Sequence, residues 1–369
     1  MTLLPRHPAV FTVFAFLLAA CGGSAPTPSE RSAAVPASPA GSQAEPAAAP
    51  APPPRLRVRM AMVPGALSHA ARFVAVERGY FEEEGIEIEE HAFDTSAKML
   101  PALAADQVDM AVGGISAGLF NAIAQGIAVR LVLDHTTAPP GEGAGGLLVR
   151  KDLIESGRVR DVSDLRGQRV AITSKGQATE FVLHTALTQA GLAMADVEVP
   201  ELAYPDMTLA LANRSIEAAI MIEPFAAVAV SQGVAVRFKR WGEIIPNDHM
   251  AMLMFSQRFA ETNAEAGRRY AKAYVRGIRD YHEARTKGRD REAILAILMK
   301  YTGLRDRAVV DQMDWVPIHP DGRINGETLA AAQDFFAERG YVPNKVDLTQ
   351  VIDHRFADYA VAQLGPYQP

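Results

Sequence analysis

The chain has 369 residues, 49% of them hydrophobic and 22% charged, the balance of an ordinary soluble globular protein with room for two domains. Its formal net charge of −6 excludes the overall basic excess that a duplex-binding surface needs, so no nucleic-acid partner is expected. A single cysteine excludes an internal disulfide framework and a cysteine-rich zinc site. No apolar run reaches the roughly 20 residues that span a bilayer.

The first segment, residues 1–20, reads as an export signal. Arg6 is its only fixed charge, and Ala9 to Ala20 is almost wholly apolar. That core has the length of a signal h-region and is too short for a span. It closes on Leu18-Ala19-Ala20-Cys21, which resembles the lipobox of bacterial lipoproteins. The resemblance implies that Cys21 carries a diacylglyceryl thioether and becomes the mature N-terminus. Residues 21–54 then form a tether of Ala, Pro, Ser and Gly, unable to bury enough apolar surface to offset its ordering entropy.

From Arg55 the chain alternates strands and helices. Strands are expected at 57–63, 86–93 and 110–113, with helices at 70–84, 97–105 and near 117–125. Such alternation indicates an α/β fold with parallel sheet covered on both faces. The pattern then repeats. PALAADQVDMAV (101–112) aligns with LALANRSIEAAI (209–220), placing Val108 over Ile216 at an offset of 108. Phe73-Val74 falls on Phe181-Val182 at the same offset, and QGIAVR (125–130) matches QGVAVR (232–237) at 107. Two similar lobes are therefore expected: lobe 1 from 55–150 plus 250–369, and lobe 2 from 151–249. GGLLVR (145–150) and MLMFS (252–256) make the two crossings, and the helical remainder from about Arg258 is expected to pack on lobe 1. Two thin crossings permit hinge closure.

Ligands favour the region beyond the carboxyl ends of parallel strands, so the loops after corresponding strands should face one another across a cleft. Lobe 1 offers Leu67, Ser68, His69, Asp94, Thr95, Gly114, Ile115, Ser116 and Asp134. Lobe 2 offers Ser174, Lys175, Gly176, Gln177, Ala178, Thr179, Tyr204, Met207, Glu223 and Phe225, and His249 lies by the second crossing. The stretch after VAIT runs into SKGQAT and a helix start, whose free N–H groups attract anions or carbonyl oxygens. Glu223 is expected as an acceptor and Phe225 as an aromatic wall.

Several phrases resemble the nitrate/sulfonate/taurine binding proteins and their NMT1/THI5-like relatives: VERGYFEEEGIEIE (76–89), LPALAADQVDMAVGG (100–114), VSDLRGQRVAITSKGQATEFVLHTAL (162–187), PDMTLALANRSIEAAIMIEPF (205–225) and MLMFSQRFAETN (252–263). The resemblance covers roughly 55–340. It implies a type II periplasmic-binding-protein fold and a monomeric solute receptor without a cofactor. Such a receptor serves an ABC permease from a lipid anchor on Cys21, exported and facing the periplasm or cell exterior. A THI5-like pyrimidine-forming enzyme and a sensor or shuttle protein are the competing readings. The cleft loops hold one base, Lys175, against the acids Asp94, Asp134, Asp206 and Glu223. A neutral or amino-bearing ligand, with a heteroaromatic ring stacked on Phe225 or Tyr204, is therefore expected. The alternative is a monoanion held by the 174–179 backbone with Lys175.

Other patterns carry less. GEGAGG (141–146) has the spacing of a dinucleotide loop but follows a proline-rich turn and precedes a strand, and reads as a flexible inter-lobe connection. DGRING (321–326) resembles a calcium loop but has Arg323 at a ligand position. His69, His135 and His249 could converge, but read better as three separate hydrogen-bonding histidines, and no metal site is expected.

Overall fold

The structure, a computed structural model, describes residues 55–93 and 98–369. Cys21, the export signal and the tether lie outside the described residues, as do Asp94 and Thr95. Among the described residues no helix is long and apolar enough to cross a membrane.

Nine strands are described: β1 (Leu56–Met62), β2 (Ile86–Ala92), β3 (Met110–Gly114), β4 (Val129–Ala138), β5 (Gly145–Arg150), β6 (Val170–Ala171), β7 (Ala218–Ile222), β8 (Ala235–Arg240) and β9 (Asp248–Ser256). They form two sheets, ordered β2-β1-β3-β9-β4 and β6-β7-β5-β8. The orders correspond at the offset read from sequence, with β3 matching β7, and β4 matching β8. The partner of β2 in the second sheet is reduced to isolated parallel bridges, Arg169–Glu198 and Ile172–Glu201.

The sheets are mixed rather than wholly parallel. β9 runs antiparallel to both β3 and β4, and β5 antiparallel to both β7 and β8. The reason lies in the crossings: a strand entering from the other lobe arrives at the opposite end of the sheet. β5 therefore belongs to the second sheet, and the lobe boundary falls before Gly145, not after Arg150. Likewise β9 enters the first sheet at Asp248.

The GEGAGG stretch does not lie wholly in a link between the lobes, because it runs into the second sheet. Gly145 and Gly146 open β5 between β7 and β8, with φ of 131° and 148°. A Cβ at Gly145 would lie 2.1 Å from Met221 O, and one at Gly146 2.1 Å from Lys239 O. These glycines are required by backbone approach on both sides. The helix expected over 70–84 is also divided, into Ala70–Glu77 and Tyr80–Glu83, because Gly79 adopts the left-handed conformation with φ 72°.

The long helix Ala264–Lys287 packs on lobe 1, burying Tyr270, Tyr274, Val275, Ile278 and Tyr281 along one face. The chain after it does not stay there. Helix Arg307–Gln312 packs on the lobe 2 helix Phe225–Ser231, and helix Gly326–Glu338 packs on helix Ala178–Gln189 of lobe 2 as well as on Ala117–Ala124 of lobe 1. The C-terminal region thus braces both lobes.

Candidate functional site

A cavity of about 510 Å³ lies between the sheets. Lobe 1 lines it with the loop after β1, including Leu67 and Ser68, and with Gly114 and Ile115 at the end of β3. Lobe 2 lines it with Thr173 and Gln177, Ala178 and Thr179 after β6, and with Glu223, Pro224 and Phe225 after β7. All four loops follow carboxyl ends of strands that run parallel within their own sheets, which is why sequence-distant segments converge here.

The lobes touch at the rim. Ala117 N donates to Gly176 O at 2.9 Å, and Ser116 pairs with Gln177 in an antiparallel bridge. Gly176 has φ +73°, and a Cβ there would sit 3.4 Å from Ala117 Cβ. The close approach favours glycine on both counts.

Two short helical starts point backbone donors at this space. Helix Ala178–Gln189 begins at the lining residues Ala178 and Thr179, and the 3-10 turn Leu67–His69 begins at Leu67 and Ser68. None of these four N–H groups has a backbone acceptor among the described residues. Such groups are the unsatisfied donors of a helix start. The Thr179 hydroxyl bonds Thr173 Oγ1 at 2.7 Å and accepts from Thr173 N at 3.2 Å.

One wall is aromatic. Tyr204 and Phe225 stack with ring centroids 5.4 Å apart and planes 18° apart. Burial raises the Tyr204 phenol well above its usual pKa, keeping it neutral. Trp241 adds a third ring, held by Nε1 donating to Asp248 Oδ2 at 2.8 Å.

Glu223 lines the cavity, but its carboxylate is engaged elsewhere. Oε1 pairs with Arg237 and accepts from Asp314 N at 3.1 Å, while Oε2 accepts from Ala227 N at 3.0 Å. Burial pushes its pKa up, and Arg237 opposes that only in part. It is thus a salt-bridged loop glutamate rather than a free acceptor.

Of the expected site residues, Leu67, Ser68, Gly114, Ile115, Gln177, Ala178, Thr179, Tyr204, Glu223 and Phe225 line the cavity. Ser116 and Gly176 form the rim contact. Others do not reach it. Met207 is fully buried in the lobe 2 core with Leu211 and Met221. His69 is buried against Phe73 and His135, the latter with ring centroids 4.9 Å away. Asp134 is buried, accepting from His319 N at 2.7 Å and bonding His249 Nδ1 at 2.8 Å. His249 Nε2 accepts from Asn325 N at 2.6 Å, so both residues tie the C-terminal region to β4 and β9. Ser174 lies off the lining, and Lys175 is exposed with its N–H on Glu201 Oε2 at 3.2 Å. His135 bonds Tyr274 at 2.7 Å, and burial drops its pKa to about 3. Among the described residues no cluster suits a metal ion.

Sequence reasoning missed Thr136 of β4, Met250 and Ala251 of β9, Trp241 and Val316. The first four sit on or beside the crossings, which must pass the cleft, so that signal was available. Val316 had none, because nothing local shows that its segment returns to the cleft.

Two α/β lobes joined by two crossings, with a cavity at their facing strand ends, are the architecture of the type II periplasmic-binding-protein fold. The chain belongs to the NMT1/THI5-like family, whose model matches residues 66–285. An Escherichia coli (strain K12) protein named for binding aliphatic sulfonates is 29% identical over 265 residues, covering 70% of this chain and 77% of its own. The riboflavin-binding protein RibY of Chloroflexus aurantiacus is 27% identical over 274 residues, covering 72% and 70%. The crystal structure of the periplasmic aliphatic sulphonate binding protein SsuA from Escherichia coli superposes with a TM-score of 0.64 at 25% identity, covering 81% of this chain and 97% of that one.

Proposed function

We propose that this protein captures one small organic ligand between its lobes and delivers it, chemically unchanged, to an ABC permease. It works as a monomer held at a bacterial membrane surface by lipid on Cys21. The observation that most supports capture is the cavity of about 510 Å³ at facing strand ends, with its rim joined by Ala117 N and Gly176 O.

The lining favours a ligand with an aromatic or apolar body and an acceptor head, either a carbonyl or a single oxyanion. Tyr204, Phe225 and Trp241 would take the body. The N–H groups of Leu67, Ser68, Ala178 and Thr179 would take the head. The amino-bearing form of the expected ligand has less support, because Glu223 is spent on Arg237, Asp134 and Asp206 do not line the cavity, and Asp94 lies outside the described residues. Lys175, exposed and off the lining, gives the monoanion no side-chain partner. The relatives' names, aliphatic sulfonates and riboflavin, are compatible with an apolar or aromatic body carrying polar oxygens.

Mass spectrometry of the small molecule that co-purifies with the protein tests this reading, supported by a thermal-shift screen. A ligand at 100 times its dissociation constant adds about 2.7 kcal/mol. Recovery of simple inorganic anions only, or of a chemically altered ligand, would overturn it. Intact-mass measurement of the membrane-extracted protein should show the lipid, and Cys21→Ser should abolish it without weakening ligand binding.

A further inference from the structure

A second cavity, of about 520 Å³, lies behind the hinge and shares no lining residue with the cleft. Pro139 of the first crossing and Asn247 of the second both line it. The two cavities occupy opposite sides of the same strands. On β4, Thr136 faces the cleft and Thr137 the rear cavity; on β9, Met250 faces the cleft and His249 the rear. This is the alternation of a pleated strand.

The rear lining is basic and contains no carboxylate. Arg285 and Arg323 line it together with His282 and His319. Arg285 pairs through Nη1 with the half-exposed Glu142, while its Nε is buried with no hydrogen-bond partner. His282 Nδ1 is buried and unpartnered as well. Arg323 pairs through Nη1 with the exposed Asp358 at 2.8 Å. His319 Nδ1 accepts from Asp321 N at 3.1 Å, which leaves its ring proton on Nε2, a donor. The apolar Ile318 and Ile324 also line it. The Arg285 Nε–H, a buried donor without an acceptor, is costly, and a charged acceptor that satisfies it is bound correspondingly well; His282 Nδ1 serves as a second donor in the tautomer that carries its proton there.

We propose that this rear cavity is a second ligand site, for a small organic dianion such as a dicarboxylate. One carboxylate meets Arg285 and His282, the other meets Arg323 and His319, and the carbon spacer lies over the isoleucines. The volume is far larger than an inorganic oxyanion requires, and two separated guanidinium groups match two carboxylates better than one.

Isothermal titration of the full chain with succinate, against acetate and sodium chloride at matched ionic strength, tests the site. Saturable succinate binding is expected, weakened at least tenfold by Arg323→Gln and by Arg285→Gln, and unchanged by Thr179→Val in the cleft. Arg323 is well exposed, so its variant is expected to fold even if the Arg285 variant does not. Dilution heat alone, equal binding of acetate, undiminished binding by Arg323→Gln, or loss of binding in Thr179→Val would each overturn the proposal. The titration needs no cleft ligand, so its failure is separable from failure of the capture reading.

Discussion

Arg339 Nη2 lies 3.1 Å from Glu180 Oε1, joining residues 159 apart in sequence. Glu180 is at the start of the lobe 2 helix that faces the cleft, and Arg339 follows the C-terminal helix that also packs on lobe 1. Tyr341 OH reaches the same oxygen at 3.1 Å, and Glu180 Oε2 accepts from Gly176 N at 2.7 Å. One buried carboxylate therefore positions the rim glycine and ties lobe 2 to the C-terminal brace.

Removing both outer partners leaves that carboxylate buried with one bond. Arg339→Ala with Tyr341→Phe is expected to cost at least about 2 kcal/mol, read by urea unfolding. Glu180→Gln, which keeps hydrogen bonding without the charge, should cost less than the double variant. An unchanged midpoint in the double variant would mean the brace adds nothing.

In the cleft, Phe225→Ala and Tyr204→Ala should each weaken binding of the true ligand about tenfold, which is roughly 1.4 kcal/mol. Glu223→Gln should act differently, because its carboxylate serves Arg237, Ala227 N and Asp314 N. Its effect should fall on stability rather than on binding, and because burial raises the Glu223 pKa despite Arg237, which keeps Asp314 as a partner, the loss should be small, under about 1 kcal/mol. Calorimetry for binding and denaturation for stability separate the two classes.

Asp248 provides a pH test. Burial raises its pKa from 3.8 to about 6, only partly offset by the Trp241 N–H, and its Oδ1 is buried without a partner. The folded chain holds this proton more tightly than the unfolded chain. The group therefore destabilises the fold progressively as pH rises from about 4 to 6, and fully above that. Asp248→Asn should raise Tm at pH 7.5, by an amount equivalent to about 1–3 kcal/mol, and lose that advantage at pH 4. A difference in Tm independent of pH would rule out the ionisation as its source.

Closure should be visible in solution. The rim bond between Ala117 N and Gly176 O joins the two lobes and would have to break for the cleft to open. Ligand should lower the radius of gyration measured by X-ray scattering. Gly176→Val, strained at φ +73° and crowded by Ala117, should reduce that change and weaken binding. No change in radius on saturation of the native protein would argue against hinge motion.

Much of the site was legible because the repeat carried it. Phe73-Val74 over Phe181-Val182 fixes equivalent helices, so the loops before them, with Ser68 and Thr179, had to be equivalent too. Hydrophobic periodicity and glycine placement likewise revealed the strands, since both are local consequences of residue type. The roles of individual side chains were less legible. Glu223 reads the same in sequence whether free or paired, and only the fold brings Arg237 and Asp314 to it. Met207 and His69 fall in the right loops, but helix geometry turns them into the core.

The sequence by itself determined the class of fold, the doubled lobe and the positions of the cleft loops, because these rest on short-range pattern and on its repetition. Only the tertiary structure decided strand direction at the crossings, the charge state of the cleft and the bracing of both lobes by the C-terminal helices. Each of those depends on contacts between residues far apart in the chain, such as Glu180 with Arg339, and no local pattern encodes such a contact.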